Sequence, residues 1–236
     1  MRRHSAFWIA VVVLPWLASW SPDPATPELL AREEDRELRG WTIHVDEALV
    51  GTALGDAALE LLDHKLYAIT RAVPADALEK LRSVPIWLGV EDEQGRHPCA
   101  CYHPSEEWLR TNGYDPAKAG SVDIANATNF LSWSHEQPWM VLHELAHAYH
   151  HQVLGYEHEG LQRAFEAAEE RGQYEEVLRG NGRQVRHYAL ENVQEYFAEG
   201  SEAWFGTNDF YPFVRAELAE HDPGLAELMA EIWGAR

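Results

Sequence analysis

Apolar residues recur along the chain at two spacings, and these spacings predict where its strands and helices lie. Alternation over Trp41-Thr42-Ile43-His44-Val45 predicts a strand. Short apolar runs at residues 85–90 and 99–103 predict two more strands, of which the first is buried. Apolar residues at helical spacing predict helices over residues 49–72 and 75–82.

The second half of the chain is predicted to be mainly helical. Residues 120–133 are the exception, because their apolar residues change phase in a way that indicates an edge strand and a loop. Beyond them, helical spacing and boundary residues such as Gly155, Gly206, Asp209 and Asp222-Pro223 predict helices over 139–154, 156–171, 187–205, 210–220 and 224–233. A small set of strands followed by helices predicts the α+β fold class.

The helix predicted at residues 139–154 contains the pattern His143-Glu144-x-x-His147. Positions i and i+4 lie one above the other on a helix face, so two imidazoles there can bind one metal ion. A shuffled chain of this composition would contain the pattern with a probability of roughly 0.08, so the motif needs a third ligand before it indicates an enzyme. The alternative is a histidine-rich helix with packed or exposed imidazoles.

Boundary signals favour a helix around this motif. Ser134 and Gln137 have the spacing of a capping box, and Pro138 falls in the predicted first turn. The other positions are mostly apolar, from Leu142 to Val153, which predicts a buried helix.

A polar stripe lies on the helix predicted at residues 187–205. Steps of three, four and seven residues from Glu195 lead to further polar side chains, namely Tyr188, Asn192, Glu199 and Glu202. The opposite face is bulky and apolar, so the stripe is predicted to face a cation. A salt-bridged surface stripe is the alternative.

Together the two helices predict a zinc site. His143, His147 and Glu195 would be its three ligands, which leaves the fourth position open as in catalytic zinc sites. Glu144 would act as the general base that takes a proton from the attacking water and passes it to the leaving amine. Glu199 would accept a hydrogen bond from the outer nitrogen of a ligating histidine.

Two other residues of the stripe are predicted to serve the same reaction. Tyr188 would donate its hydroxyl to the developing oxyanion. Asn192 would brace the site or bind the substrate backbone. His97, His103 and His135 are interpreted as ordinary histidines in predicted loops and are given no metal role.

The motif His143-Glu144-Leu145-Ala146-His147, followed by Tyr188-x-x-x-Asn192-x-x-Glu195-Tyr196-Phe197-Ala198-Glu199, resembles the lethal-factor-type gluzincin zinc metalloproteases, which include the Pro-Pro endopeptidases. The resemblance implies zinc, a Glu third ligand at Glu195, a general base at Glu144 and a catalytic tyrosine at Tyr188. It also implies one zincin-like domain, in which the motif helix lies under a small mixed sheet whose edge strand binds substrate.

The charge balance narrows the range of partners. The chain has 19 Lys+Arg and 39 Asp+Glu, a net charge of -20. This argues against nucleic acid or an anionic membrane surface as a partner, because both require a positive field. The predicted partner is a peptide or protein substrate.

The N-terminal residues predict export. Arg2 and Arg3 precede an apolar run over residues 7–17 that is too short for a comfortable membrane span. Residues 1–21 are therefore predicted to be a signal peptide, with an uncleaved signal anchor as the alternative. Contact with a membrane is expected only in the second case, and the predicted location is secreted, periplasmic or cell-surface.

Composition also predicts where the domain begins. Residues 22–40 are predicted to be a proline-rich and charged spacer, in which residues 28–39 form a short exposed helix. Residues 41–236 are predicted to be the metallopeptidase domain.

Three local features each leave two interpretations open. Cys99 and Cys101 could form a strained bridge, but two free thiols are favoured. The glycine-rich connector at residues 172–186 has three arginines, Arg179, Arg183 and Arg186. They could hold a substrate carboxylate, but neutralisation of nearby acids is favoured. The edge strand predicted in residues 120–133 could bind an extended peptide or be an ordinary strand.

The sequence as a whole predicts an exported zinc-dependent endopeptidase. The first alternative is a gluzincin-like binding or structural protein that holds zinc without cleaving anything. The second is a zinc hydrolase that acts on another amide or ester. Intact Glu144 and Tyr188 favour an active enzyme, because zinc retention alone requires neither residue.

Overall fold

A five-stranded mixed sheet organises the first half of the fold. The computed structural model describes residues 33–92 and 94–234. Its strands are β1 (Glu33–Leu38), β2 (Trp41–Asp46), β3 (Ile86–Leu88), β4 (Cys101–Tyr102) and β5 (Val122–Ile124). Their order in the sheet is β1-β2-β3-β5-β4. The β2–β3 and β3–β5 pairs are parallel, whereas β1 and β4 run antiparallel to their neighbours.

The helix predicted over residues 28–39 is wrong for the described part, which is strand β1. Arg39 and Gly40 both have positive φ, 54° and 92°, so they form a tight turn that joins β1 to β2. Pairing with β2 then overrides the helix propensity of the charged residues. The sheet therefore begins at Glu33, within the stretch predicted to be a spacer. The predicted signal segment 1–21 lies outside the described residues.

Helices make up most of the remaining described chain. They are α1 (Ala53–Ala72), α2 (Ala75–Arg82), α3 (Glu106–Asn112), α4 (Ala127–Trp133), α5 (Met140–Tyr149), α6 (Glu159–Arg171), α7 (Val193–Phe205), α8 (Arg215–His221) and α9 (Pro223–Trp233). One turn of π-helix, His150–Leu154, extends α5, and a small hairpin, β6 (Val177–Leu178) and β7 (Gln184–Val185), follows α6. The fold is α+β, as predicted. None of the described helices is long and apolar enough to span a membrane.

Several predicted elements are confirmed, but the structure differs from the prediction for one segment and for two helix caps. The segment predicted as an edge strand and loop contains β5, which is an inner strand, and helix α4, which is capped by Asn126. Ser134 does not cap α5; its hydroxyl donates to the Leu131 carbonyl, because α4 ends there. Asp209 does not cap a helix, since it accepts hydrogen bonds from Arg179 and α8 begins six residues later.

Helices α5 and α7 pack against each other, and this contact positions the site. Leu142 and Leu145 of α5, together with Phe197 of α7, are fully buried in the core. At one end the backbone of Gly206 lies so close to Trp139 that a Cβ at position 206 would come within 1.9 Å of an indole atom. Only glycine allows this close approach, so the end of α7 is held against the start of α5.

A buried carboxylate fixes the other side of α7. Asp222 accepts hydrogen bonds from the hydroxyls of Tyr196 (2.6 Å) and Tyr174 (3.2 Å), and its other oxygen caps α9 at the Leu225 amide. Replacing Asp222 by alanine would leave two buried hydroxyls without an acceptor and remove the helix cap. We expect a loss of about 3 kcal/mol in the free energy of unfolding. Urea denaturation beside the exposed α9 variant Glu227→Ala tests this, and a loss no larger than in that control would contradict it.

Candidate metal centre

Helix α5 places the two motif histidines one turn apart on the same face. Their ring centroids are 4.7 Å apart, and the rings are nearly perpendicular, at 83°. Both side chains are 12% exposed, so they are largely withdrawn from solvent but reachable from one side. The residues around them on α5, such as Leu142 and Ala146, are fully buried and fix the helix in place. Val153, predicted to be buried, is 44% exposed.

Glu195 of α7 reaches both histidines with a single oxygen. Its Oε2 lies 3.0 Å from His143 Nε2 and 3.3 Å from His147 Nε2. Zinc–ligand bonds of about 2.0–2.1 Å at the tetrahedral angle place neighbouring N and O ligands about 3.3 Å apart. The two distances from Glu195 are close to this value, and all three ligand atoms lie within 4.8 Å of one another.

The electrostatics of Glu195 agree with this arrangement. Burial alone would raise the pKa of Glu195, but the hydrogen bonds with His143 and His147 outweigh it and hold the pKa well below its usual range. The residue is therefore a carboxylate, which is the form that binds a cation.

Asn192 determines where α7 begins. Its side-chain oxygen accepts a hydrogen bond from the Glu195 amide at 2.9 Å, which is the N-cap interaction. The helix predicted from residue 187 therefore starts only at Val193, and Tyr188 lies in a separate 3₁₀ turn, Tyr188–Leu190. Of the two roles predicted for Asn192, bracing the site agrees with this hydrogen bond, because it holds the backbone of Glu195.

The outer nitrogen of His143 is held by a residue other than the predicted one. His143 Nδ1 lies 2.8 Å from Glu202 Oε1, whereas the nearest Glu199 oxygen is 3.8 Å away, beyond hydrogen-bond distance. The prediction for Glu199 is therefore corrected to Glu202, which lies three residues further along the same helix face. Burial, and then the neighbouring Glu202, raise the pKa of Glu199 well above its usual range.

Glu144 and Tyr188 line the same cavity as the three converging side chains. The cavity has a volume of about 670 Å³. Tyr188 is 46% exposed at its wall. Burial, and then the carboxylate of Glu195, raise the pKa of Tyr188, so its hydroxyl keeps its proton and can donate a hydrogen bond.

The edge of the sheet forms another wall of the cavity. It is formed by residues 99–102, which include β4, and not by the inner strand β5 that the sequence indicated. Cys99 and Cys101 in this wall are free thiols, which is the favoured interpretation.

The arginines of the connector are mainly engaged with acids. Arg179 donates two hydrogen bonds to Asp209, at 2.9 and 3.1 Å, and Arg186 pairs with Glu191 at 3.0 Å. This agrees with neutralisation of nearby acids, although Arg179 also borders the cavity.

The described chain contains more than one group of side chains that could hold a metal ion. In each group one ligand atom per residue lies within 4.8 Å of the others, and the groups are His143–His147–Glu195, His143–Glu199–Glu202 and His97–Cys101–His103. The third includes two histidines to which the sequence assigned no metal role. The signal for it was the alternation Cys101-x-His103, which places both side chains on one face of a strand.

Comparisons of the chain with protein-family models, with curated proteins and with solved structures find no match.

Proposed function

We propose that this chain is an exported zinc-dependent endopeptidase whose metal ligands are His143, His147 and Glu195. The observation that carries the proposal is the convergence of His143 Nε2, His147 Nε2 and Glu195 Oε2, at 3.0 and 3.3 Å, in a cavity that Glu144 also lines. The export part rests on the N-terminal sequence pattern alone.

Zinc fits this donor set better than magnesium or calcium does. Two imidazole nitrogens and one carboxylate form the ligand set of many catalytic zinc sites, whereas magnesium and calcium prefer oxygen ligands alone. Zinc bound in this way would supply a Lewis acid that polarises the substrate carbonyl and activates water. The hydrogen bond from His143 Nδ1 to Glu202 would fix the ring so that Nε2 faces the ion.

Glu144 is the proposed general base. It follows His143 directly on α5, and its carboxylate can accept the proton of the attacking water and later deliver it to the leaving amine. Glu144 also lines the cavity that the three proposed ligands share.

The sheet edge favours an extended peptide as the substrate. Strand β4 is the last strand of the sheet and lines the cavity beside the motif helix. The unpaired side of an edge strand can form main-chain hydrogen bonds with a peptide, which a small amide or ester would not exploit. The same arrangement, a mixed sheet with an antiparallel edge strand beside the motif helix, supports a zincin-like domain.

Tyr188 is the proposed donor to the oxyanion, and this gives a direct prediction. Tyr188→Phe removes only the hydroxyl, so kcat should fall by about 10²-fold while KM changes little. Tyr67→Phe is a matched control, because Tyr67 is similarly exposed, at 48%, but lies on α1 and does not border the cavity. Steady-state kinetics on a cleaved peptide measure both constants. An unchanged kcat in Tyr188→Phe would exclude the oxyanion role.

A panel of substrates tests the proposal against its two alternatives. The chain would be incubated with a diverse peptide library and with small amides and esters, before and after removal of metal by a chelator, and again after zinc is restored. We expect peptide cleavage that disappears with the metal and returns with zinc. Cleavage of the small substrates alone would favour another zinc hydrolase, and bound zinc without any turnover would favour a binding protein.

A further inference from the structure

A second group of metal-ligating side chains lies at the edge of the sheet, apart from the three proposed zinc ligands. It consists of His97, Cys101 and His103, whose ligand atoms lie within 4.8 Å of one another. Cys101 and His103 are two residues apart along β4 and its extension, so their side chains emerge on the same face. Asp123 of β5 is directly opposite Cys101 in the strand register, and it adds a carboxylate to that face.

One distance within this group, and one from the group to Asp123, are close to those between neighbouring ligands of a tetrahedral ion. Cys101 Sγ lies 3.4 Å from His103 Nε2, and His103 Nε2 lies 3.3 Å from Asp123 Oδ2. For zinc, with bonds of about 2.3 Å to sulfur and about 2.05 Å to nitrogen or oxygen, neighbouring ligand atoms are about 3.6 Å (S and N) and about 3.3 Å (N and O) apart. The Cys101–His103 spacing suits two ligands of a common ion, and His103 Nε2 also forms a long hydrogen bond with Asp123 Oδ2.

Buried polar atoms without partners are a separate observation that points to a ligand. His97 Nε2 and Asp123 Oδ1 are both buried and have no hydrogen-bond partner among the described residues. The Asp123 side chain is 1% exposed and that of His103 is 3% exposed. Leaving such groups unpaired destabilises the fold, and coordination of an ion by His97 would remove one of these costs.

The surroundings hold the two imidazoles in place. Their ring centroids are 5.5 Å apart, and Trp108 and Tyr114 pack against them, with all four ring-to-ring distances between 5.7 and 6.4 Å. The backbone of His103 is tied to the neighbouring strand segment by hydrogen bonds with Ser121 and Gly120. Packed aromatic rings and the sheet therefore hold the two histidine side chains in position. Metal binding would then require little further ordering of these side chains.

We propose that His97, Cys101 and His103 form a second metal site that binds Zn²⁺, with Asp123 beside it. One thiolate and two imidazoles are a borderline-soft donor set, which favours zinc over magnesium or calcium. Binding requires the Cys101 thiol to release its proton to solvent, and the thiolate formed in this way would be the anionic ligand of the ion. Lys118, 2.9 Å from Asp123 Oδ2, balances the carboxylate.

A metal ion there would shape the substrate cleft. His97 and Cys101 both line the cavity that holds the His143 site, and His97 belongs to the segment that leads into β4. One ion would cross-link that segment to the edge strand and so fix this wall of the cavity. The ion would have a structural role at the cleft.

Sulfur provides a signature that distinguishes the two sites. The proposed catalytic set has only nitrogen and oxygen ligands, so any metal–sulfur signal must come from elsewhere. The full chain would be loaded with Zn²⁺ for X-ray absorption and with Co²⁺ for absorption spectroscopy, and the metal content would be measured. We expect two ions per chain, one zinc–sulfur distance of about 2.3 Å and a sulfur-to-cobalt charge-transfer band.

Two variants assign the sulfur signal to Cys101. Cys101→Ser should lower the metal content from two ions per chain to one and abolish the metal–sulfur signal. Cys99→Ser should keep both ions and the sulfur signal, because Cys99 Sγ contacts Met140. His97→Ala keeps the thiol and should lose the same ion, with exposed His135→Ala as its control. Absence of sulfur coordination in the wild type, or its persistence in Cys101→Ser, would overturn the proposal. A sulfur signal without peptide cleavage would instead contradict the proposed function and leave this site intact.

Discussion

Glu144→Gln is expected to keep its zinc and to lose peptide cleavage by about 10²–10⁴-fold in kcat, the usual cost of removing a general base. Glutamine has the same shape as glutamate but cannot accept the proton of the attacking water. The metal ligands His143, His147 and Glu195 are unchanged by this substitution, and so are the packed residues of α5. The loss should therefore appear in kcat and kcat/KM to a similar extent.

Steady-state kinetics, zinc content and thermal unfolding measured on the same preparations test this expectation. Glu136→Gln is a matched control, because Glu136 is an exposed glutamate a few residues before α5. The control should retain wild-type turnover. Full activity in Glu144→Gln would mean that another group takes the proton, and the mechanism would be wrong.

Glu195→Ala is expected to lose zinc. The substitution removes the oxygen that contacts both motif histidines and leaves two imidazoles as the only remaining ligands of the set. Loss of a residue that merely orients a ligand weakens metal binding by about 10–100-fold, and loss of a ligand itself should exceed this. Peptide cleavage should fall with the zinc content and should not return at zinc concentrations that saturate the wild type.

Equilibrium dialysis against a zinc buffer measures the affinity directly. Glu191→Ala is a suitable control, because Glu191 lies four residues earlier and pairs with Arg186 at the surface. Wild-type zinc affinity in Glu195→Ala would mean that the third ligand is Glu199 or Glu202, which form the alternative group with His143.

The features of the site that follow from local periodicity could be read from the sequence. The i, i+4 spacing of His143 and His147 requires only a helix, and a buried helix at this place was predicted from apolar positions and boundary signals. The face shared by Glu195, Glu199 and Glu202 follows from the same helical period. Which of the three carboxylates meets which nitrogen depends on how α7 lies against α5. That is a tertiary property, and for this reason Glu199 was predicted where Glu202 is found.

The errors in the fold have similar causes. The charged strand β1 has the composition of a helix and becomes a strand because Arg39 and Gly40 adopt positive φ and allow pairing with β2. The edge position of β4 depends on strand order, which the periodicity of a single strand does not contain. The third metal-ligating group was missed because His97 joins it from a loop, so no regular spacing connects it to Cys101 and His103.

The most direct measurement is mass-spectrometric profiling of a diverse peptide library with the wild-type protein beside Glu144→Gln, with the zinc content of both recorded. We expect cuts with the zinc-loaded wild type and none above background with the equally zinc-loaded variant. The same cuts with both proteins, or no cuts with a wild type that carries zinc at His143, His147 and Glu195, would contradict a zinc-dependent endopeptidase.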